Sequence, residues 1–288
     1  MTPFKGEFSD SGCCHLEISS TVFPVEAAFF DLDKTIIAKS SVLAFGRSFY
    51  REGLVSRTTI AKSIYAQVVY MLVGADEQSM EKLRTAMLSM TKGWDRAKIQ
   101  AIVSEALDEV IEPIVFREAL DLFDEHHAAG RRVVIVSSSP VEIVRPLVKY
   151  LGVDDCIATE AEVDEDGRYT GALAFYSYGP HKSTAIRQYA SEHGIDLDGS
   201  YSYSDSITDV PMLECVGHPV PVNPDKELAR YASDHDWEVQ RFTSPMRIKR
   251  KVPVPPKGPT IAIGSAVGLA AVSATVAWNI AKRRMPRI

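Results

Sequence analysis

Apolar and polar positions change rhythm several times along the chain, and each change predicts a different element. Val25 to Phe30 is an apolar run broken by Glu26, and it ends on Asp31-Leu32-Asp33. A short, nearly continuous run of this kind predicts a buried parallel strand. From residue 40 to about 112 the period turns helical: Ile60, Ile64, Val68 and Leu72 recur every four residues, between N-cap residues and glycine stops. No strand pattern interrupts this stretch, so it reads as a helical insert.

A helix-then-strand rhythm follows. IVFREALDLFDEHHAAG predicts a helix stopped by Gly130, and RRVVIVSSSP a strand entering a serine-rich turn. VEIVRPLVKYLG predicts a helix with Pro140 as its first residue, which Pro146 should shorten or kink. DCIATEAEVDEDGRYTGALAFY predicts a hairpin turning at Asp166-Gly167. HKSTAIRQYASEHG is helical, SYSYSDSITDVPMLECVG is a strand, an acidic turn and a short helix, and HPVPVNP is a further strand. Alternating units of this kind predict an α/β fold, a mostly parallel sheet covered on both faces. Residues 1–22 read as a flexible arm.

The C-terminal segment has another character. The basic, proline-rich RIKRKVPVPPKGP (247–259) precedes about 22 uncharged residues, 260–281, and then the basic tail 282–288. That length at helical rise matches a hydrocarbon core of roughly 30 Å, so a transmembrane helix is expected. Gly264 and Gly268 fit a small-residue pairing stripe through which the chain would oligomerise. The N-terminus lacks a basic flank leading into an apolar stretch, so the expected arrangement is an N-terminal domain on the cytoplasmic side of a cell membrane, held by one C-terminal helix. Charge sharpens the division. The net charge is −6, but all nine Lys/Arg after residue 246 stand without an acidic residue, which leaves 23 Lys/Arg against 38 Asp/Glu in the rest. So acidic a globular part argues against a nucleic-acid partner. The four cysteines, at 13, 14, 156 and 215, have no metal-ligand spacing, and Cys13-Cys14-His15 falls in the polar arm. His126, His127 and His181 are expected at the surface, and Tyr50, Tyr65 and Tyr70 as packing residues.

Three predicted strand ends carry polar clusters: Asp31 with Asp33, Ser137-Ser138-Ser139, and Asp205 with Asp209. Ligands of open parallel sheets sit beyond the carboxyl ends of the strands, so these clusters should converge. Four carboxylates in one cleft require a hard cation, and oxygen donors without His or Cys favour Mg²⁺ over Zn²⁺. A serine-rich helix start and Lys182 add an anion cradle and a point charge. Together these describe phosphoryl transfer.

The order DLDKT, VIVSS, HK, YSDSITD resembles the haloacid-dehalogenase-like hydrolases, in particular the phosphoserine-phosphatase-like group with a helical cap between the first two motifs, over roughly residues 25–240. The resemblance implies a Rossmann-like, doubly wound core over 23–39 and 113–244 and a cap over 40–112, and the basic, proline-rich composition makes 245–259 a linker. It implies a Mg²⁺-dependent phosphatase with Asp31 as nucleophile and Asp33 as acid/base. Ser137, Ser138 and Lys182 would bind the phosphoryl group. The metal would be held by the Asp31 carboxylate, the Asp33 main-chain carbonyl and Asp205, with Asp209 supporting through water or Lys182. The chain departs from the family pattern in three places. Ser40 stands where phosphoserine phosphatases carry a cap Glu, and the glycine-rich turns of the second and fourth motifs read SSP and SDSIT. The substrate is therefore open: a small phosphate ester, or a lipid or lipid-linked phosphate reached from the membrane. Transfer to another acceptor and a non-catalytic tethered scaffold are the alternatives.

Overall fold

The computed structural model describes residues 25–56, 85 and 88–243. Among these, a six-stranded sheet is built from β1 (Ala27–Phe30), β2 (Arg132–Pro140), β3 (Asp155–Val163), β4 (Tyr169–Phe175), β5 (Tyr201–Ser204) and β6 (His218–Pro221). The spatial order is β4-β3-β2-β1-β5-β6, with all neighbours parallel except the β3–β4 hairpin. The hairpin turns as expected: Gly167 takes a φ of +74°, and its N–H donates to the Asp164 carbonyl at 3.0 Å.

All four residues of β1 are buried, and their alternation feeds two cores. Ala28 and Phe30 pack with Val133, Ile135 and Tyr203 on one face; Ala27 and Phe29 pack with Val134, Val136, Ile186 and Met212 on the other. Burial on both faces is why the strand reads as a continuous apolar run rather than an alternating one.

Between β1 and β2 the described elements are α1 (Ser41–Ala44), α2 (Gly46–Arg51), α3 (Arg96–Ile111) and α4 (Arg117–Ala128). Asp95 caps α3 by accepting from the Lys98 N–H at 3.0 Å. After β2 come α5 (Val141–Leu151), α6 (Pro180–His193), a 3₁₀ turn (Ile207–Asp209), α7 (Val210–Leu213) and α8 (Lys226–Asp234). The residues leading into α3 dock on the hairpin through the main chain, with Gly93 N–H donating to Tyr169 O at 2.8 Å and Tyr169 N–H to Trp94 O at 3.0 Å. Arg96 at the start of α3 adds an ion pair to the buried Glu142 of α5 at 3.0 Å.

Three expectations are corrected. Pro140 is not the first residue of α5: its ψ of 140° is extended, so it serves as the N-cap residue of a helix that begins at Val141. That helix is not shortened by Pro146 and runs on to Leu151. His126 is buried rather than at the surface, because α4 turns Ala119, Phe123 and His126 inward at helical spacing. Its Nε2 lies 2.8 Å from the Tyr203 hydroxyl, and burial, followed by Arg131 and His127, pushes the imidazole down to about 4. Residues 260–281 and the Gly264/Gly268 stripe lie outside the described residues, as do the arm and the linker. Among the described residues no helix is long and apolar enough to cross a membrane.

Candidate active site

The three polar strand ends belong to adjacent strands, β2, β1 and β5, and parallel register brings them to one edge of the sheet. Asp31 follows directly on β1, where its N–H still continues the ladder to Tyr203 O on β5 at 2.9 Å. Asp205 follows β5, and Ser137 to Ser139 close β2.

Asp31 faces a wall of charge. Lys182, in the first turn of α6, is 2% exposed and places Nζ 2.6 Å from Asp31 Oδ1 and 2.7 Å from Asp209 Oδ2. Ser204 donates its hydroxyl to the same Asp209 oxygen at 2.7 Å. Burial alone would depress the lysine, yet the two carboxylates outweigh it and hold the ammonium above its ordinary value. Burial raises Asp31 to about 8 against the pull of Lys182, with Asp209 and Asp205 adding repulsion.

Asp33 faces neutral donors instead. Its Oδ1 accepts from the Ser41 main-chain N–H at 2.8 Å, and its Oδ2 from the Ser139 hydroxyl at 3.4 Å. The Ser41 and Ser139 hydroxyls are 2.8 Å apart, and the Ser139 N–H donates to Ser137 Oγ at 3.1 Å. A β-bulge creates this arrangement. Ser137 pairs with Ala158 but Pro140 with the next residue, Thr159, so Ser138 and Ser139 are extra residues in β2. Ser137 and Ser139 are buried while Ser138 between them is exposed. Burial raises the Asp33 carboxyl above its ordinary value, and the Ser41 N–H, the serine hydroxyls and Lys182 oppose it.

Between the two walls, Lys34 adopts a left-handed φ of +66° and sets Nζ 3.7 Å from Asp205 Oδ2. Asp225 stabilises the acidic turn: its N–H donates to Asp205 O at 2.8 Å and its Oδ2 accepts from Ile207 N at 3.0 Å. Its other oxygen caps α8. Asp205 is 8% exposed, and its carboxyl is raised to about 6, by burial first. Lys34 opposes that rise, while Asp209 and Asp225 add to it.

The donor chemistry fits a hard dication. Asp205 is buried with negative neighbours, and its Lys34 contact is long and made by a side chain 71% exposed. Among the described residues no three His, Cys, Asp or Glu side chains form a metal cage by themselves. Asp31 and Asp205 offer hard oxygen donors beside the Asp33 main chain, the donor kind that Mg²⁺ takes together with water. Ser41, Ser204 and Asp225 were not singled out by their spacing, and Ser139, read only as part of the Ser137–Ser139 cluster, had no role at Asp33. Each acts through a partner that the fold supplies.

The comparisons agree with this geometry. The family model for haloacid dehalogenase-like hydrolases matches residues 28–214. A Mycobacterium tuberculosis protein described as a probable phosphatase is 48% identical over 248 residues, covering 86% of each chain. A phosphoserine phosphatase of the same organism is 32% identical over 263 residues, 91% of this chain and 82% of that one. The fold also matches a solved structure of a Bordetella pertussis Tohama I protein of unknown function, with a TM-score of 0.66 at 28% identity over 76% of this chain and 99% of that one. On motif order, fold and relatives alike, the chain belongs to the haloacid dehalogenase-like hydrolases and is a phosphatase of the phosphoserine-phosphatase-like kind.

Proposed function

We propose that the protein hydrolyses phosphate monoesters through an aspartyl-phosphate on Asp31, with Asp33 as the acid and then the base. The observation that carries this reading is the contrast between two carboxylates one residue apart: Asp31 in an ion pair with Lys182, Asp33 on neutral donors. The Lys182 ion pair works against the burial that raises Asp31, and so toward the charged form needed for attack. Neutral donors leave a proton free to be given and taken.

In the first half-reaction an Asp31 oxygen attacks phosphorus, the bond to the ester oxygen breaks, and Asp33 gives its proton to that oxygen. In the second, Asp33 takes a proton from water, the water oxygen attacks phosphorus, and the bond to Asp31 breaks to release phosphate. Lys182 holds Asp31 in place and offsets the charge that gathers on the phosphoryl oxygens. Ser137 and Ser138, in the last residues of β2 ahead of α5, close the phosphoryl side. Bound Mg²⁺, held by Asp31, Asp205 and the Asp33 carbonyl, would supply charge neutralisation at the phosphoryl group. The expected result is phosphate release from nitrophenyl phosphate that EDTA abolishes and Mg²⁺ restores, and that Asp31→Asn lowers by on the order of 10⁴-fold or more. Undiminished turnover by Asp31→Asn would rule the mechanism out.

For the substrate, Ser40 supports a reading other than phosphoserine. It stands half-buried just before α1, and its own side chain carries no charge to meet an ammonium group. The basic 247–259 and uncharged 260–281 support a membrane-held enzyme acting on a lipid or lipid-linked phosphate. Rates on phosphoserine and lysophosphatidate, with and without residues 247–288, separate the two. Lipid-phosphate turnover unchanged by the truncation would remove the case for the anchor in substrate choice.

A further inference from the structure

The second-motif turn, glycine-rich in phosphoserine phosphatases, here carries serine hydroxyls, and one of them reaches the proton-transfer carboxylate. We propose that Ser139 and Ser41 are positioning residues for Asp33, a hydroxyl pair that extends turnover to esters whose leaving oxygen must be protonated. The proposal rests on the reading of Asp33 as proton donor and assigns which of its oxygens carries the proton.

The Ser41 main-chain N–H can only donate, and it holds Asp33 Oδ1 at 2.8 Å. Oδ1 is therefore an acceptor in every protonation state. The transferable proton belongs to Oδ2, the oxygen that faces Ser139 Oγ at 3.4 Å. A hydroxyl donates or accepts according to its rotor, and Ser139 has a second partner, Ser41 Oγ, at 2.8 Å. When Asp33 is ionised, Ser139 donates to Oδ2 while Ser41 donates to Ser139. When Oδ2 carries the proton, Ser139 turns its own hydrogen to Ser41, and Oδ2 is free to deliver. The pair thus accommodates both states without a charge that would trap the proton. Ser139 is buried and its backbone is tied to Ser137 Oγ at 3.1 Å, so the hydroxyl is fixed relative to the phosphoryl-binding side. Ser41 opens α1, so the same pair joins the helical segment after β1 to the end of β2.

The test is leaving-group dependence, which loss of packing alone would not alter. kcat/KM, which reports the first phosphoryl transfer, is measured at saturating Mg²⁺ for an alkyl phosphate, whose alkoxide needs a proton, and for nitrophenyl phosphate, whose phenolate does not. Ser139→Ala and Ser139→Gly should lose about 10- to 100-fold on the alkyl ester and less than about threefold on the aryl ester, a part of the full worth of a general acid. Ser41→Ala, which keeps the main-chain donor, should show a smaller loss of the same selectivity. If Ser139→Ala fails to fold, Ser139→Gly, the residue usual in that turn, carries the same expectation. Equal losses on both esters, or no loss on the alkyl ester, overturn the proposal. Asp33→Asn and Asp31→Asn run alongside keep the ideas apart: if Asp33→Asn loses the alkyl ester selectively while the Ser139 variants do not, Asp33 stands as the acid and only the hydroxyl pair falls. If Asp31→Asn is inactive on both esters while the Ser139 variants show no selectivity, the aspartyl-phosphate reading stands and the hydroxyl-pair proposal falls. If Asp31→Asn retains turnover, the mechanism itself fails.

Discussion

The two sides of the Asp31-Leu32-Asp33 turn are built from opposite materials. Around Asp31 the fold places a buried ammonium shared with Asp209; around Asp33 it places a main-chain N–H and hydroxyls. One residue type, two positions apart, thereby receives two environments: one in which a buried cation opposes the rise that burial imposes, and one built from neutral donors. Pairs of titratable groups whose surroundings differ in this way mark a division of labour between nucleophile and acid/base.

Removing one partner on each side exposes the difference most strongly. Lys182→Met leaves Asp31 and Asp209 buried without their cation and should destabilise the metal-free protein by about 3–5 kcal/mol at neutral pH. Ser139→Ala removes a neutral hydrogen-bonding group and should cost about 1 kcal/mol. Urea unfolding of both variants checks the ratio; equal losses would mean that the two sides do not differ in kind.

The pH dependence sharpens the charged side. Asp31 and Asp205 have folded values raised to about 8 and about 6, so the folded state holds their protons more tightly than the unfolded chain does. Their contribution is full below the ordinary carboxylate range, and it is lost as pH rises through about 6 and then about 8. His126 has the opposite sign. Its folded value is depressed to about 4, so its contribution is present above 6.5 and is lost as pH falls toward 4. Above pH 6.5 the carboxylates alone set the slope among these groups, and the metal-free protein should melt progressively lower toward alkaline pH. Mg²⁺ binds the ionised form, so its stabilisation should grow over the same interval. A Mg²⁺-induced rise in Tm that does not increase with pH would contradict this assignment.

Much of this site was legible in the sequence, because its charged members end apolar runs or open helices: Asp31 after a buried strand, Asp205 after a second, Lys182 at a helix start. The serine cluster at the end of β2 was legible too, but the contacts of Ser139 and Ser41 with Asp33 were not. Ser139 meets Asp33 across 106 residues and through a β-bulge, and bulges leave little trace in an apolar–polar pattern. His126 was readable, since Ala119, Phe123 and His126 share one helical face, as was α8, which begins after Asp225 and buries Leu228 and Ala232.

Two smaller effects complete the contrast. Ser204→Ala should cost about 1 kcal/mol by freeing Asp209 from its hydroxyl donor, while Lys182 still holds that carboxylate. Lys34→Gly should relieve a left-handed backbone cost of about 1 kcal/mol. It also removes a cation 3.7 Å from Asp205, so Mg²⁺ should bind more tightly in a thermal-shift titration. Unchanged or weaker Mg²⁺ affinity would show that Lys34 does not act on the metal site.

The central claim, separate roles for Asp31 and Asp33, is tested most directly by trapping. Asp33→Asn removes the base for the second half-reaction, while nitrophenyl phosphate removes the need for an acid in the first. Acid quench of that variant with Mg²⁺ and nitrophenyl phosphate, followed by peptide mass spectrometry, should find one phosphoryl group on Asp31. Nitrophenolate release without a phosphoryl group on Asp31, or with one on another residue, would contradict the account.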